Sequence, residues 1–257
     1  MSKKTNKLVA REVRVADLDS HTRDQMWRVF ERYYGGTARD AFDADLASKQ
    51  HVILLRDAGD RSLQGFSTLD VYDREIEGRR VVAIFSGDTI VEKEYWGQRA
   101  LQTAFFLFIL RTKLQHPTTP VYWFLISKGY KTYLLLSRNF EEYWPRHDAE
   151  TPRWQRTLLD RLARDKFGPL WDSTAGVLRM GGRDGHLKPG VAPIDAADLE
   201  HEDIRFFVTM NPNYVAGDEL ACIGLIDLSF ALSYLRKRAR RVIRLREDGW
   251  ASTTAPA

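Results

Sequence analysis

Residues 80–101 of this chain read RVVAIFSGDTIVEKEYWGQRAL. From Val81 to Val91 the stretch is dominated by β-branched and aromatic residues, which predicts a long buried strand. Trp96-Gly97 predicts a sharp turn, and the apolar residues from Leu101 onward predict a helix over about Gln98 to Leu114. A helix start exposes unpaired backbone N–H groups and the positive end of the helix dipole. A strand that delivers polar side chains to that place predicts an anion-binding site.

Composition bounds what the anion belongs to. With 257 residues, 44% hydrophobic and 12% aromatic, the chain has material for a large core. A net charge of +4 suits phosphate-bearing ligands or acidic carrier proteins and argues against DNA as a partner. The single cysteine, Cys222, excludes an intrachain disulfide and a multi-cysteine metal site, and fits a cytoplasmic protein. Histidines 21, 51, 116, 147, 186 and 201 show no ligand spacing, so no metal is expected. Neither a signal peptide nor a transmembrane helix is predicted.

Outward from the junction, periodicity predicts a strand at Glu12–Ala16 and helices at His21–Tyr34 and Asp40–Ser48. Strands follow at His51–Arg56 and Leu63–Tyr72, joined by the turn Asp57-Ala58-Gly59-Asp60. After the helix, Val121–Ile126 predicts a strand and Lys131–Phe140 a helix. Beyond 150, Trp154, Leu158, Leu159 and Leu162 have helical spacing, and 176–193 reads as a loop or linker. Ile204–Met210 is expected as a strand and Leu220–Leu245 as a final helix, with Cys222 on its apolar face as a small core residue.

Two segments carry chemistry. Ser86-Gly87-Asp88-Thr89 interrupts an apolar strand, and polar groups buried there cost about 1–3 kcal/mol each if unsatisfied. Gly87 is expected to mark a bulge. Glu92 reads as solvated, and Glu94 is a lesser candidate for action through water. In the second segment, Ser127-Lys128-Gly129-Tyr130-Lys131-Thr132-Tyr133 opens another helix, where Ser127, Lys128 and Lys131 are candidates to meet phosphate. Trp96 and Trp123 are candidate pocket walls.

The order of strand, two helices, three antiparallel strands, helix, strand and helix over residues 10–145 resembles the GCN5-related N-acetyltransferase (GNAT) superfamily. The resemblance implies an α/β fold with a mixed, mostly antiparallel twisted sheet flanked by helices. Residues 146–250 would then be an extension packing on this core and ending in a basic helix. In that family the fourth strand turns into a helix whose amides hold the pyrophosphate of coenzyme A, and the fifth strand splays away to admit the thioester arm. Here Trp96, Gly97, Gln98 and Arg99 would form that turn. Only Gly97, one place after the start of the family pattern Q/R-x-x-G-x-G/A, looks typical, since Trp96 stands where the pattern has Gln or Arg and Arg99 and Leu101 where it has small residues. Leu136 stands where the family has the tyrosine that serves as general acid. These departures imply changed donor usage, as in relatives that take acyl groups from acyl carrier protein.

The resemblance implies an acyltransferase with no tightly bound cofactor, using acyl-CoA or a carrier-protein phosphopantetheine thioester as co-substrate and a small-molecule amine or hydroxyl as acceptor. Transfer is expected to be direct, as no activated Cys or Ser constellation is evident. Asp88 is the candidate general base, with Ser86 and Thr89 beside it; the backbone amide of Val91 or a neighbour would polarise the thioester carbonyl, and Tyr130 or Tyr133 would protonate the leaving sulfur. Residues 236–246 are strongly basic and are candidates for contact with an acyl carrier protein, a membrane surface or tRNA. Two alternatives remain open from the residues alone, a non-catalytic GNAT-fold binding protein and an aminoacyl transferase using charged tRNA.

Overall fold

The computed structural model describes residues 7–180, 186–187, 194–227 and 230. The chain runs β1 (Leu8–Arg14), α1 (Ser20–Tyr33), β2 (Tyr34–Gly35), α2 (Arg39–Ala47), β3 (His51–Asp57), β4 (Leu63–Ile76) and β5 (Arg79–Val91). It continues through α3 (Ala100–Gln115), β6 (Val121–Ser127), α4 (Tyr130–Asn139), β7 (Tyr143–Trp144) and α5 (Arg153–Phe167). Then come β8 (Trp171–Asp172), β9 (Val177–Leu178), β10 (His186–Leu187), α6 (Glu202–Met210) and β11 (Glu219–Ile226).

Among the described residues one large sheet has the order β1-β3-β4-β5-β6-β11-β9-β8, with β7 also paired to β11. All its pairings are antiparallel except β5–β6. The sheet crosses residue 145 without a break, because β11 pairs with β6 along its whole length.

Both faces of the sheet are covered, which is why its central strands are apolar at nearly every position. Val82, Ile84, Trp123 and Leu125 point to the layer of α3, α4 and α6. Their neighbours Ala83, Phe85, Tyr122 and Phe124 point to α5, meeting Leu158, Leu159 and Leu162. Near the other edge, Val52, Leu54 and Phe66 pack on Met26, Val29 and Phe30 of α1 and on Phe42 and Leu46 of α2. The start of α1 is fixed by Asp19, whose carboxylate accepts the Thr22 N–H at 2.6 Å.

Two expectations are overturned. Ile204–Met210 lies in a helix, α6, and not in a strand. Its run of aromatic and β-branched residues imitates a strand, but Ile204 and Phe207, three apart, are the positions that enter the core, and His201 Nδ1 accepts the Asp203 N–H at 3.2 Å at the helix start. The first part of the expected helix Leu220–Leu245 is instead the strand β11, and Cys222 sits buried in that strand, where burial pushes its thiol pKa up. A short, continuously apolar run does not distinguish a doubly covered strand from a buried helix. The later part of that expected helix, including basic residues 236–246, lies outside the described residues. Among the described residues no helix is long and apolar enough to cross a membrane.

Gly224 gives this correction a test with a sign. In β11 a Cβ at residue 224 would fall 2.7 Å from Leu136 Cδ1 and 2.7 Å from Phe140 Cδ1. Gly224→Ala should therefore destabilise the protein by about 1–3 kcal/mol through overpacking in urea unfolding. A helical Gly224 would give stabilisation of about 1 kcal/mol instead.

Candidate functional site

Parallel pairing of β5 with β6 runs from Val82–Val121 to Ser86–Leu125 and stops. There β5 bulges: Ser67 pairs with Thr89 and Leu69 with Ser86, so Gly87 and Asp88 stand opposite Thr68 alone. Glycine is needed at the bulge, since a Cβ on Gly87 would lie 2.6 Å from Thr68 Oγ1 and 3.3 Å from both Lys49 Cε and Phe85 Cε1. Beyond it, β5 and β6 no longer pair, and the carboxyl ends of two parallel strands frame an opening.

The turn from β5 into α3 is held on four sides. Glu92, expected to be solvated, is buried: Arg32 Nη2 lies 2.8 Å from it and Tyr33 Oη donates to it at 2.7 Å. Its neutralisation by Arg32 is what allows a carboxylate there. Tyr95 Oη donates to Asp57 at 2.9 Å, Trp96 Nε1 donates to the Val91 carbonyl at 2.8 Å, and Gln98 Oε1 accepts the Leu8 N–H at 2.8 Å. Gly97 makes the turn with φ +83°.

This anchoring also orients Val91. The Glu92 N–H donates to the Gln64 carbonyl at 2.9 Å, so by antiparallel alternation the adjacent Gly65–Val91 pair is not hydrogen-bonded across the strands. Val91 therefore turns its amide and carbonyl to the opening, in agreement with the Trp96 bond to its carbonyl.

Two cavities meet at the opening. The outer one, about 380 Å³, lies against the start of α3 and is lined by Val91, Trp96, Gly97, Gln98 and Lys131. Lys131 Nζ stands 4.9 Å from the centre of the exposed Trp96 ring, a cation–π contact. The inner one, about 340 Å³, is lined by Ser86, Gly87, Asp88, Trp123, Lys128 and Glu219 among others. Tyr34, Thr89, Leu101, Gln102 and Leu135 line both, so the cavities are contiguous.

Asp88 is half-buried on the inner wall, and its carboxyl pKa is pushed up to about 7. Burial is the main cause; the Asp45 carboxylate adds to it, Lys49 and Lys128 oppose it, and Glu219 contributes a smaller push upward. Glu219 is buried and pairs with Lys128 at 3.3 Å, while burial raises its pKa against the pull of that lysine. Ser86 Oγ accepts the Trp123 indole N–H at 2.8 Å, and Thr89 Oγ1 lies 2.7 Å from Ser67 Oγ.

Other expected site residues lie elsewhere. Tyr133 is fully buried and donates its hydroxyl to the Pro145 carbonyl at 3.0 Å; Tyr130 donates to Asp198 at 3.4 Å. Neither tyrosine lines either of these two cavities, because α4 turns them toward α6 and its preceding loop. Ser127 is buried and donates to the Gly129 carbonyl at 2.9 Å, which fixes the turn into α4. Arg99 is exposed just before α3 and does not line the outer cavity.

Sequence reading missed Tyr34, Glu219 and the lysines Lys49 and Lys166, all of which line the inner cavity. Tyr34 has a half-buried ring beneath Lys128 Nζ, 5.3 Å from its centre. Burial, with Asp88 and Glu219 nearby, raises its hydroxyl pKa, so it keeps its proton. The adjacent Gly35-Gly36 pair was the one local hint that the chain turns there. Among the described residues no group of three or more His, Cys, Asp or Glu side chains could hold a metal ion.

No protein-family model matches the chain, and no curated protein does. Among solved structures it is similar to a probable N-acyltransferase from Enterococcus faecalis, at 14% identity and TM-score 0.39, covering 50% of this chain and 32% of that one. The chain thus spans about a third of that protein's length. It is similar to a GNAT family N-acetyltransferase from Escherichia coli in complex with CoA, at 12% identity and TM-score 0.39, covering 55% and 72%. A glucosamine-6-phosphate N-acetyltransferase from Arabidopsis thaliana matches at 8% identity and TM-score 0.38, covering 57% and 99%. By its own strand order, its parallel β5–β6 pair that opens beyond Ser86, and the helix start facing that opening, the chain has a mixed, mostly antiparallel α/β fold.

Proposed function

We propose that the protein transfers an acyl group from a phosphopantetheine thioester, on coenzyme A or an acyl carrier protein, directly to an amine. The observation that carries this reading is Asp88, a half-buried carboxyl with a pKa near 7 where a donor-sized cleft at a helix start meets a second cavity. A base poised near working pH is what removal of a proton from an ammonium group requires.

In this scheme the thioester arm lies in the outer cleft with its carbonyl oxygen on the Val91 N–H. The α3 N-terminus favours an anionic donor there, and Lys131 adds a positive charge. The acceptor ammonium gives one proton to Asp88, and the freed amine forms the C–N bond at the thioester carbonyl. As the C–S bond breaks, Tyr34 gives its proton to the departing sulfur and recovers one from the nitrogen, while Asp88 releases its proton to solvent. Tyr34 takes the part expected of Tyr130 or Tyr133 because it borders both cavities and stays protonated. Ser86 and Thr89 are positioning residues on either side of the bulge.

Coenzyme A, acetyl-CoA or a long-chain acyl-CoA at about 100 times its dissociation constant should stabilise the protein by roughly 2.7 kcal/mol, a rise of about 5–10 °C in thermal unfolding. No rise with any of them would leave a carrier-protein donor to be tested, and no acylation from that donor either would leave the non-catalytic reading. Asp88→Asn should lower kcat about 10²- to 10⁴-fold and remove a rise in kcat/KM through pH 7.

The same substitution should act on stability with a fixed sign. Folded Asp88 keeps its proton from about pH 4 to 7, where the unfolded chain has lost it, so its contribution declines as pH rises through that window. Asp88→Asn should therefore gain stability relative to the parent at pH 8 and show no such gain at pH 4. Tyr34→Phe should slow turnover about 10²-fold with alkyl thioesters and far less with aryl thioesters, whose thiolates leave without a proton.

A further inference from the structure

The inner cavity holds more charge than removal of a proton requires. Asp45, Lys49, Asp88, Lys128, Lys166 and Glu219 all line it. Four of them pair off, Lys49 with Asp45 at 2.5 Å and Lys128 with Glu219 at 3.3 Å. Asp88 and Lys166 are left, and among the described residues neither has a side chain of opposite charge within ion-pair distance. A carboxyl and an ammonium that both lack an ion partner in a single cavity, each costly to bury in charged form, are both satisfied by a ligand carrying the two complementary charges.

Lys166 is held in place for this. Its Nζ donates to Tyr72 Oη at 2.8 Å, and Tyr72 in turn donates to the buried Asp70 at 2.8 Å. Of the three ammonium N–H groups this bond uses one. The Phe85 ring connects the two lone charges: Lys166 Nζ stands 4.3 Å from its centre, and its edge lies 3.3 Å from the place a Cβ on Gly87, next to Asp88, would occupy. Phe105, Trp123 and Phe167 complete an apolar wall for the part of a ligand between its charged ends. Burial and the nearby Lys49 lower the Lys166 pKa to about 8, the response of an ammonium short of negative charge.

We infer, on the basis of the acyl-transfer reading, that the acceptor is an amine bearing an anionic group, a carboxylate or a phosphate, with its ammonium on Asp88 and its anion on Lys166. Lys166 is then a specificity-determining residue supplied by α5, outside the segment that carries the catalytic groups. Simple monoamines fill only half of this arrangement.

Binding without any donor tests this separately from catalysis. Calorimetry should compare ω-amino carboxylates, from glycine to 6-aminohexanoate, with methylamine to pentylamine; 2-aminoethyl phosphate against ethylamine forms the phosphate arm. At least one anion-bearing member should bind roughly 10- to 100-fold more tightly than its monoamine, the scale of a charge-assisted hydrogen bond. Lys166→Met should collapse that ratio toward one, and Lys166→Arg should keep most of it. Equal binding of both series to the parent protein, or a ratio unaltered in Lys166→Met, would overturn the inference. The parent comparison decides even if Lys166→Met does not fold. Discrimination in binding with no turnover from any thioester would count against acyl transfer and leave the anion site standing.

Discussion

The constraint on which the site depends is the end of one parallel strand pair. While β5 and β6 are paired they form the centre of a sheet covered on both faces, and their residues are apolar for that reason. The extra residue at Gly87–Asp88 breaks the register with β4 at the level where β6 stops pairing. A carboxyl is thereby carried on the sheet's own backbone to the wall of the inner cavity, where it is half-buried. Gly87 permits this because Thr68, Lys49 and Phe85 crowd the space a side chain would need.

Burying charge is costly unless it is paired, and the protein handles its charges in two ways. Around the turn into α3, Glu92 is neutralised by Arg32 and bonded by Tyr33, which makes it part of the scaffold. In the inner cavity, Asp45–Lys49 and Lys128–Glu219 are likewise matched. Asp88 stands near these pairs without a close partner of its own, so burial dominates its pKa. Asp88 differs from the scaffold carboxylate Glu92 in having, among the described residues, no cationic side chain within ion-pair distance.

The fold between residues 8 and 140 was legible because its elements are long and their periods distinct: the strand Val81–Val91, the apolar helix after Gly97 and the following strand all lie within a few residues of expectation. α6 and β11 were not, because a short apolar run carries no period that separates a doubly covered strand from a helix. Asp88 was legible as a polar residue misplaced in an apolar strand. Tyr34, Lys166 and Glu219 gave no comparable sign, since each reaches the cavity from a distant part of the chain and only the sheet order brings them together. Tyr133 was placed on the right helix and Tyr130 just before its start, but their directions depend on packing against residues beyond 195.

To act as the base, Asp88 must be a carboxyl that holds its proton to near neutrality. Carbon NMR of the protein labelled at the aspartate carboxyl, with the signal assigned through Asp88→Asn, measures this directly. A midpoint near 7 is the result predicted. A midpoint near 4, the ordinary aspartate range, would mean that Asp88 is solvated and would contradict its role as the base.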